Sequence, residues 1–136
     1  MDGQQGAALL KLSKVLEIVG GILITADSDL EAQVSYGASA DLMSDALRFG
    51  REDIILLTGL TNLQAIRTAE MLGARALLFV RAKIPPPETI SLAQEAGISL
   101  LATSYSMYEA SGRLYEAGLA GLGPCGDLDQ GITVTG

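Results

Sequence analysis

The spacing of apolar positions changes its period several times along this chain. Residues 13–19 carry Val15, Leu16 and Val19 at helical spacing, with Ser13 placed to cap the first turn and Gly20 and Gly21 to stop the last. The apolar, β-branched run at 21–26 and the extended stretch at 32–36, separated by a polar break at 27–29, read as two strands joined by a turn. From Ser39 the period turns helical again, with Leu42, Met43, Ala46, Leu47 and Phe49 at spacings of three and four and Gly50 as terminator.

Beyond Gly50 the alternation is regular. Residues 53–57 are nearly continuously apolar, which suits a strand covered on both faces, and 62–72 place Ala65, Ile66, Ala69 and Leu72 on one stripe. The same pair recurs as 76–80 with 88–96, and as 98–102 with 107–115. Three strand–helix units in succession predict an α/β fold: a mainly parallel sheet with right-handed crossovers and helices on both faces, in a single domain over residues 1–120. Gly50, Gly73, Gly97 and Gly118 stand where helix ends need a left-handed residue. Pro85, Pro86 and Pro87 break the chain before the next helix, with Pro87 suited to its first turn and Ile84 forced to be extended. Residues 121–136 are rich in glycine and poor in large apolar side chains, so they read as a tail, dispensable for folding, rather than a second domain.

Composition narrows the chemistry. At 136 residues and 49% hydrophobic content the chain can close one core. Sixteen acids against 9 bases, a net charge of -7, argue against a surface that coats nucleic acid. With no His and a single Cys, Cys125, the His-dependent triads and dyads, most metal cages and an internal disulfide are excluded. No catalytic set and no metal site is assigned. The first residues lack a secretory pattern and no apolar run approaches the roughly 18 residues of a membrane span, so a cytoplasmic location is expected, away from membranes.

In an open parallel sheet a ligand sits beyond the carboxyl ends of the strands. After the 53–57 strand, Thr58, Gly59, Thr61 and Asn62 offer hydroxyls, close backbone approach and a helix N-terminus to an anion; an ordinary glycine turn with Thr61 as N-cap is the alternative. After the 76–80 strand, Arg81 and Lys83 can pair with phosphate or carboxylate, or simply be solvated. After the 98–102 strand come Thr103, Ser104 and Tyr105, followed by Ser106 and Glu109 in capping-box spacing. Residues 35–39 repeat the polar theme after the second strand. Asp41 and Asp45 share one helical face, read as solvated.

The segments VSYGASADLMSDAL, ILLTGLTNLQAIRTAEM, ALLFVRAKIP and LLATSYSMYEASGRLYEAGL together resemble the DRTGG domain family, over residues 12–119. The likeness is greatest to stand-alone members encoded near iron-only hydrogenase and redox-complex genes; the fold is similar to the N-terminal domain of HPr kinase/phosphorylase. Gly59-Leu60-Thr61-Asn62 stands where a Gly-Asp-Arg loop is usual and Val80-Arg81-Ala82 where Thr-Gly-Gly is usual, while Gly59, Pro85 and the Thr103–Tyr105 turn match. The resemblance implies a noncatalytic regulatory domain, frequently a homodimer, with an adenine nucleotide as regulatory ligand. Three functions compete: a sensing domain for an anionic small molecule, a ligand-free interaction subunit of a redox or signalling complex, and a phosphotransferase-like enzyme.

Overall fold

The computed structural model describes residues 9–48, 53–124 and 128. In chain order the elements are β1 (Leu10–Lys11), α1 (Leu12–Val19), β2 (Ile22–Leu23), β3 (Gln33–Val34), β4 (Tyr36–Ser39) and α2 (Met43–Ala46). They continue as β5 (Ile54–Thr58), α3 (Leu63–Leu72), β6 (Ala76–Phe79), α4 (Pro87–Ala96), β7 (Ser99–Ala102) and α5 (Met107–Glu116). Every residue of β5, β6 and β7 is buried, as double-sided cover demands of strands built from Ile, Leu, Ala and Phe. The five-stranded sheet has the order β2-β7-β6-β5-β4, in which β4 to β7 run parallel and β2 is an antiparallel edge.

Alternation along the strands divides the interior into two layers. Ile55, Leu57, Leu78, Val80 and Leu101 face α1 and α5, where they meet Leu12, Val15, Val19, Ala110 and Leu114. Leu56, Leu77, Phe79 and Leu100 face the opposite way, onto Met43, Ala46, Ala65, Ile66, Ala69, Leu72 and Ala93 of α2, α3 and α4. Each large side chain so buried contributes about 1.5–3 kcal/mol over its exposed state. Gly73 and Gly97 close α3 and α4 in the left-handed region at φ 75° and 73°, and Pro87 opens α4, as the sequence pattern requires.

Residues 21–36 fold differently from the two strands joined by a turn expected of them. β2 pairs with β7, and β3 pairs with β1 in a separate two-stranded sheet. A Cβ on Gly21 would fall on the Ala102 carbonyl oxygen, so glycine lets the chain come against β7 there. Beyond β2 the ladder continues through a side chain: the Leu100 N–H donates to Thr25 Oγ1 at 2.9 Å. The helix before Gly20 starts one residue earlier than Ser13, and its first N–H groups donate to loop carbonyls, Leu12 to Ala32 at 2.9 Å and Ser13 to Leu30 at 3.1 Å. Ser13 is therefore not its cap.

A further correction moves a strand. Residues 36–39, read as the loop after a strand, are the strand β4 itself, in register with β5 from Tyr36 opposite Ile54 to Ser39 opposite Leu57. Ala120 bridges its outer edge, accepting the Gly37 N–H at 2.9 Å. The helix expected from Ser39 onward is four residues long; Phe49 and Gly50, expected to complete it, lie outside the described residues, as do Cys125 and most of the glycine-rich tail. Of that tail, Leu128 is exposed.

Candidate functional site

The parallel register brings the carboxyl ends of β4, β5 and β6 level, so the residues that follow them share one edge. Asp41 follows β4, Thr58 ends β5 with Gly59 next after it, and Arg81 follows β6. Asp41 Oδ1 accepts the Gly59 N–H at 2.7 Å and the Thr58 hydroxyl at 3.2 Å, while Oδ2 lies 3.5 Å from Arg81 Nη2. The Thr58 hydroxyl in turn accepts the Leu60 N–H at 3.2 Å, which shapes the turn into α3. The Arg81 guanidinium lies over Gly59 so closely that a Cβ there would overlap it. Gly59 thus serves an internal close approach.

Electrostatics follow from these contacts. The Gly59 N–H holds the Asp41 carboxyl below its ordinary value of 3.8, helped by the Thr58 hydroxyl and the Arg81 charge and opposed by partial desolvation. Asp41 and Arg81 form a partly solvated pair, with side chains 47% and 44% exposed, so the positive charge of Arg81 already has a partner.

The loop after β6 is held in an uncommon backbone conformation. Arg81 and Ala82 have φ of 61° and 58°, a left-handed pair that L side chains adopt at some expense. They are kept there by the loop after β7: the Arg81 N–H donates to Tyr105 O at 2.8 Å and the Ala82 N–H to Thr103 O at 2.9 Å. In the resemblance drawn from the sequence these two positions correspond to the glycines of Thr-Gly-Gly. The backbone here adopts the conformation that glycine takes most readily.

The other residues singled out from the sequence fall into place around this core. Asn62, not Thr61, caps α3, its side-chain oxygen accepting the Ala65 N–H at 3.1 Å; Thr61 is half-buried in the preceding turn. Thr103 is buried, and its hydroxyl donates to Val19 O at 2.7 Å and accepts the Tyr105 N–H at 3.2 Å. That hydroxyl acts between β7 and the end of α1. Ser104 and Lys83 are exposed. The Tyr105 ring carries the Arg113 guanidinium 4.2 Å above its centroid, and Ser106 caps α5 by accepting the Glu109 N–H at 3.2 Å. The edge therefore gathers Thr58, Gly59, Arg81 and Tyr105, while Thr103 is engaged elsewhere.

Asp41 is the residue that the sequence pattern placed wrongly. Read on a solvated helical face with Asp45, it instead stands before α2, two residues past the end of β4. The parallel with Arg81, two residues past β6, is the signal that would have found it, had β4 been placed at 36–39.

A separate groove of about 760 Å³ runs between β4 and α5, lined by Gly37, Ser39, Tyr108, Ser111, Gly112 and Tyr115 among others, but not by Asp41, Gly59 or Arg81. Its walls are mostly apolar, and Ser39 and Ser111 share a hydroxyl hydrogen bond of 2.8 Å there. We place the candidate site at the strand ends because that is where backbone N–H and guanidinium donors converge.

No protein-family model and no curated protein sequence matches the chain. Among solved structures it is similar to the CBS and DRTGG domains of the regulatory region of Clostridium perfringens pyrophosphatase, complexed with its activator diadenosine tetraphosphate. The identity is 18% and the TM-score 0.64, over 80% of this chain and 47% of that one, so the present chain matches about half of that structure. The likeness establishes the fold, a mixed α/β domain of the DRTGG-like kind.

Proposed function

We propose that this chain is a noncatalytic regulatory or sensing domain that binds an anionic small molecule, an adenine nucleotide, at the carboxyl edge of β5, β6 and β7. The observation that carries the reading is the notch formed by the Gly59 N–H and the Arg81 guanidinium, which already holds the two oxygens of the Asp41 carboxylate. Backbone N–H and guanidinium donors are the groups that take a phosphate oxygen, and the start of α3 adds its dipole beside them. The similar Clostridium structure supports a regulatory role and an adenine-nucleotide ligand. We further propose a cytoplasmic location and a homodimer. Among the described residues no helix is long and apolar enough to cross a membrane.

A second reading, an interaction subunit that docks on a redox or signalling protein and binds no ligand, is favoured by the groove beside β4, where Tyr108 and Tyr115 are exposed. A thermal-shift panel of adenine nucleotides separates the two. A ligand at about 100 times its dissociation constant stabilises the fold by roughly 2.7 kcal/mol, and the sensing reading predicts such a shift for at least one nucleotide. No shift with any of them, together with co-purification of a larger complex, would put the docking reading first.

A further inference from the structure

We infer that Asp41 is a built-in competitor for the strand-end notch: its carboxylate occupies the place of an incoming anionic oxygen and must leave before a ligand binds. The inference rests on the anion-site reading above and adds how the site is controlled. Asp41 Oδ1 takes the Gly59 N–H at 2.7 Å, a strong geometry for a carboxylate, and Oδ2 faces Arg81 at 3.5 Å. An oxygen of a phosphate arriving at the same N–H would bring two anions together in one partly desolvated notch. Like charges at that distance exclude one another, so one must withdraw.

Asp41 is built to withdraw. Its side chain is about half exposed, and its hydrogen bonds are to Gly59, Thr58 and Arg81. The backbone that carries it leads into α2, a helix of one turn whose N-cap, Leu42, makes no side-chain cap bond. Rotating the carboxylate into water breaks three contacts, to the Gly59 N–H, the Thr58 hydroxyl and the Arg81 guanidinium. Ligand binding would then release the β4–α2 connection from the β5 and β6 loops, turning occupancy of the notch into a change at the surface beside α2.

The test is calorimetric titration of the full chain with ATP and with inorganic tripolyphosphate, comparing wild type with Asp41→Asn, Asp41→Ala and Asp45→Asn. Asp41→Asn keeps an acceptor for Gly59 while removing the charge; Asp45→Asn makes the same change in net charge on an exposed residue outside the notch. Both Asp41 variants should bind on the order of tenfold more tightly, the scale of one hydrogen bond to a charged group, and Asp45→Asn should match wild type. Amide spectra of each variant confirm the fold, and in wild type the Gly59 and Leu42 resonances should move together on titration. Binding by the Asp41 variants alone, with wild type silent, would also support the competitor role. Equal affinities for wild type and both Asp41 variants would overturn the inference and leave the anion site standing, as would weaker binding by those variants, which would make Asp41 a ligand contact. No binding by any of the proteins would overturn both readings.

Discussion

At the scale of single residues, two features of the strand-end loops lead to measurable consequences. Ala82 sits at φ 58° beside Arg81 at 61°. A left-handed alanine is disfavoured by about 1–2 kcal/mol, and part of the relief on substitution is offset by the greater unfolded freedom of glycine. Ala82→Gly should thus stabilise the protein by about 0.5–1 kcal/mol in urea denaturation. Asp41 titrates below 3.8 because the Gly59 N–H, then Thr58 and Arg81, favour its charged form. A depressed folded value means that the carboxylate stabilises the fold fully above the unfolded value and loses that contribution as the pH falls through the folded one. The stability difference between wild type and Asp41→Asn should be about 1 kcal/mol near neutral pH, discounted for solvent screening, and should shrink in acid below 3.8. A difference that is flat with pH would show that the carboxylate charge does not matter to the fold. Neither feature was legible from residue type. Asp41 lay one strand boundary away from its true setting, and positive φ at Arg81 is imposed by carbonyls of a loop more than twenty residues downstream.

Whole elements were legible in proportion to how much of their burial was local. β5, β6 and β7 declare themselves by continuous apolar runs, and α3 and α4 by a stripe closed with glycine. β1 and β3 are two residues each and exist only because they meet, so no periodicity could mark them. β4, with the sequence YGAS, lacks the β-branched residues of a strand and is held by its parallel ladder to β5. The hydroxyls after β7 looked like ligand groups because spacing carries no record of depth. Thr103 is buried, and its side chain fastens the end of β7 to the end of α1 at Val19 O. Thr103→Val leaves that carbonyl and the Tyr105 N–H without partners, and should cost about 1–3 kcal/mol in denaturant unfolding. An unchanged midpoint would mean that the clasp does not form, and would free Thr103 for a ligand.

For the molecule as a whole, the parallel sheet sets which loops meet, and the residues just after α5 tie the chain back to it. Leu119 is 3% exposed and Ala120 holds β4, whereas Gly123, Pro124 and Leu128 are exposed. Deletion of residues 118–136 should therefore destabilise by about 2–4 kcal/mol in denaturant unfolding, through loss of a core leucine and the β4 contact. The same sheet brings together the β5 and β6 loops, for which we propose one anion site with Arg81 as its main positive charge. The most direct measurement is calorimetric titration of wild type and Arg81→Ala with a panel of adenine nucleotides. The pair with Asp41 is half exposed, so its loss should change stability by less than about 1 kcal/mol. Binding should weaken by about 1.5–3 kcal/mol, roughly ten- to hundredfold, as expected for a hydrogen bond to a charged group. Equal affinities in the two proteins, or no binding by either, would contradict the account.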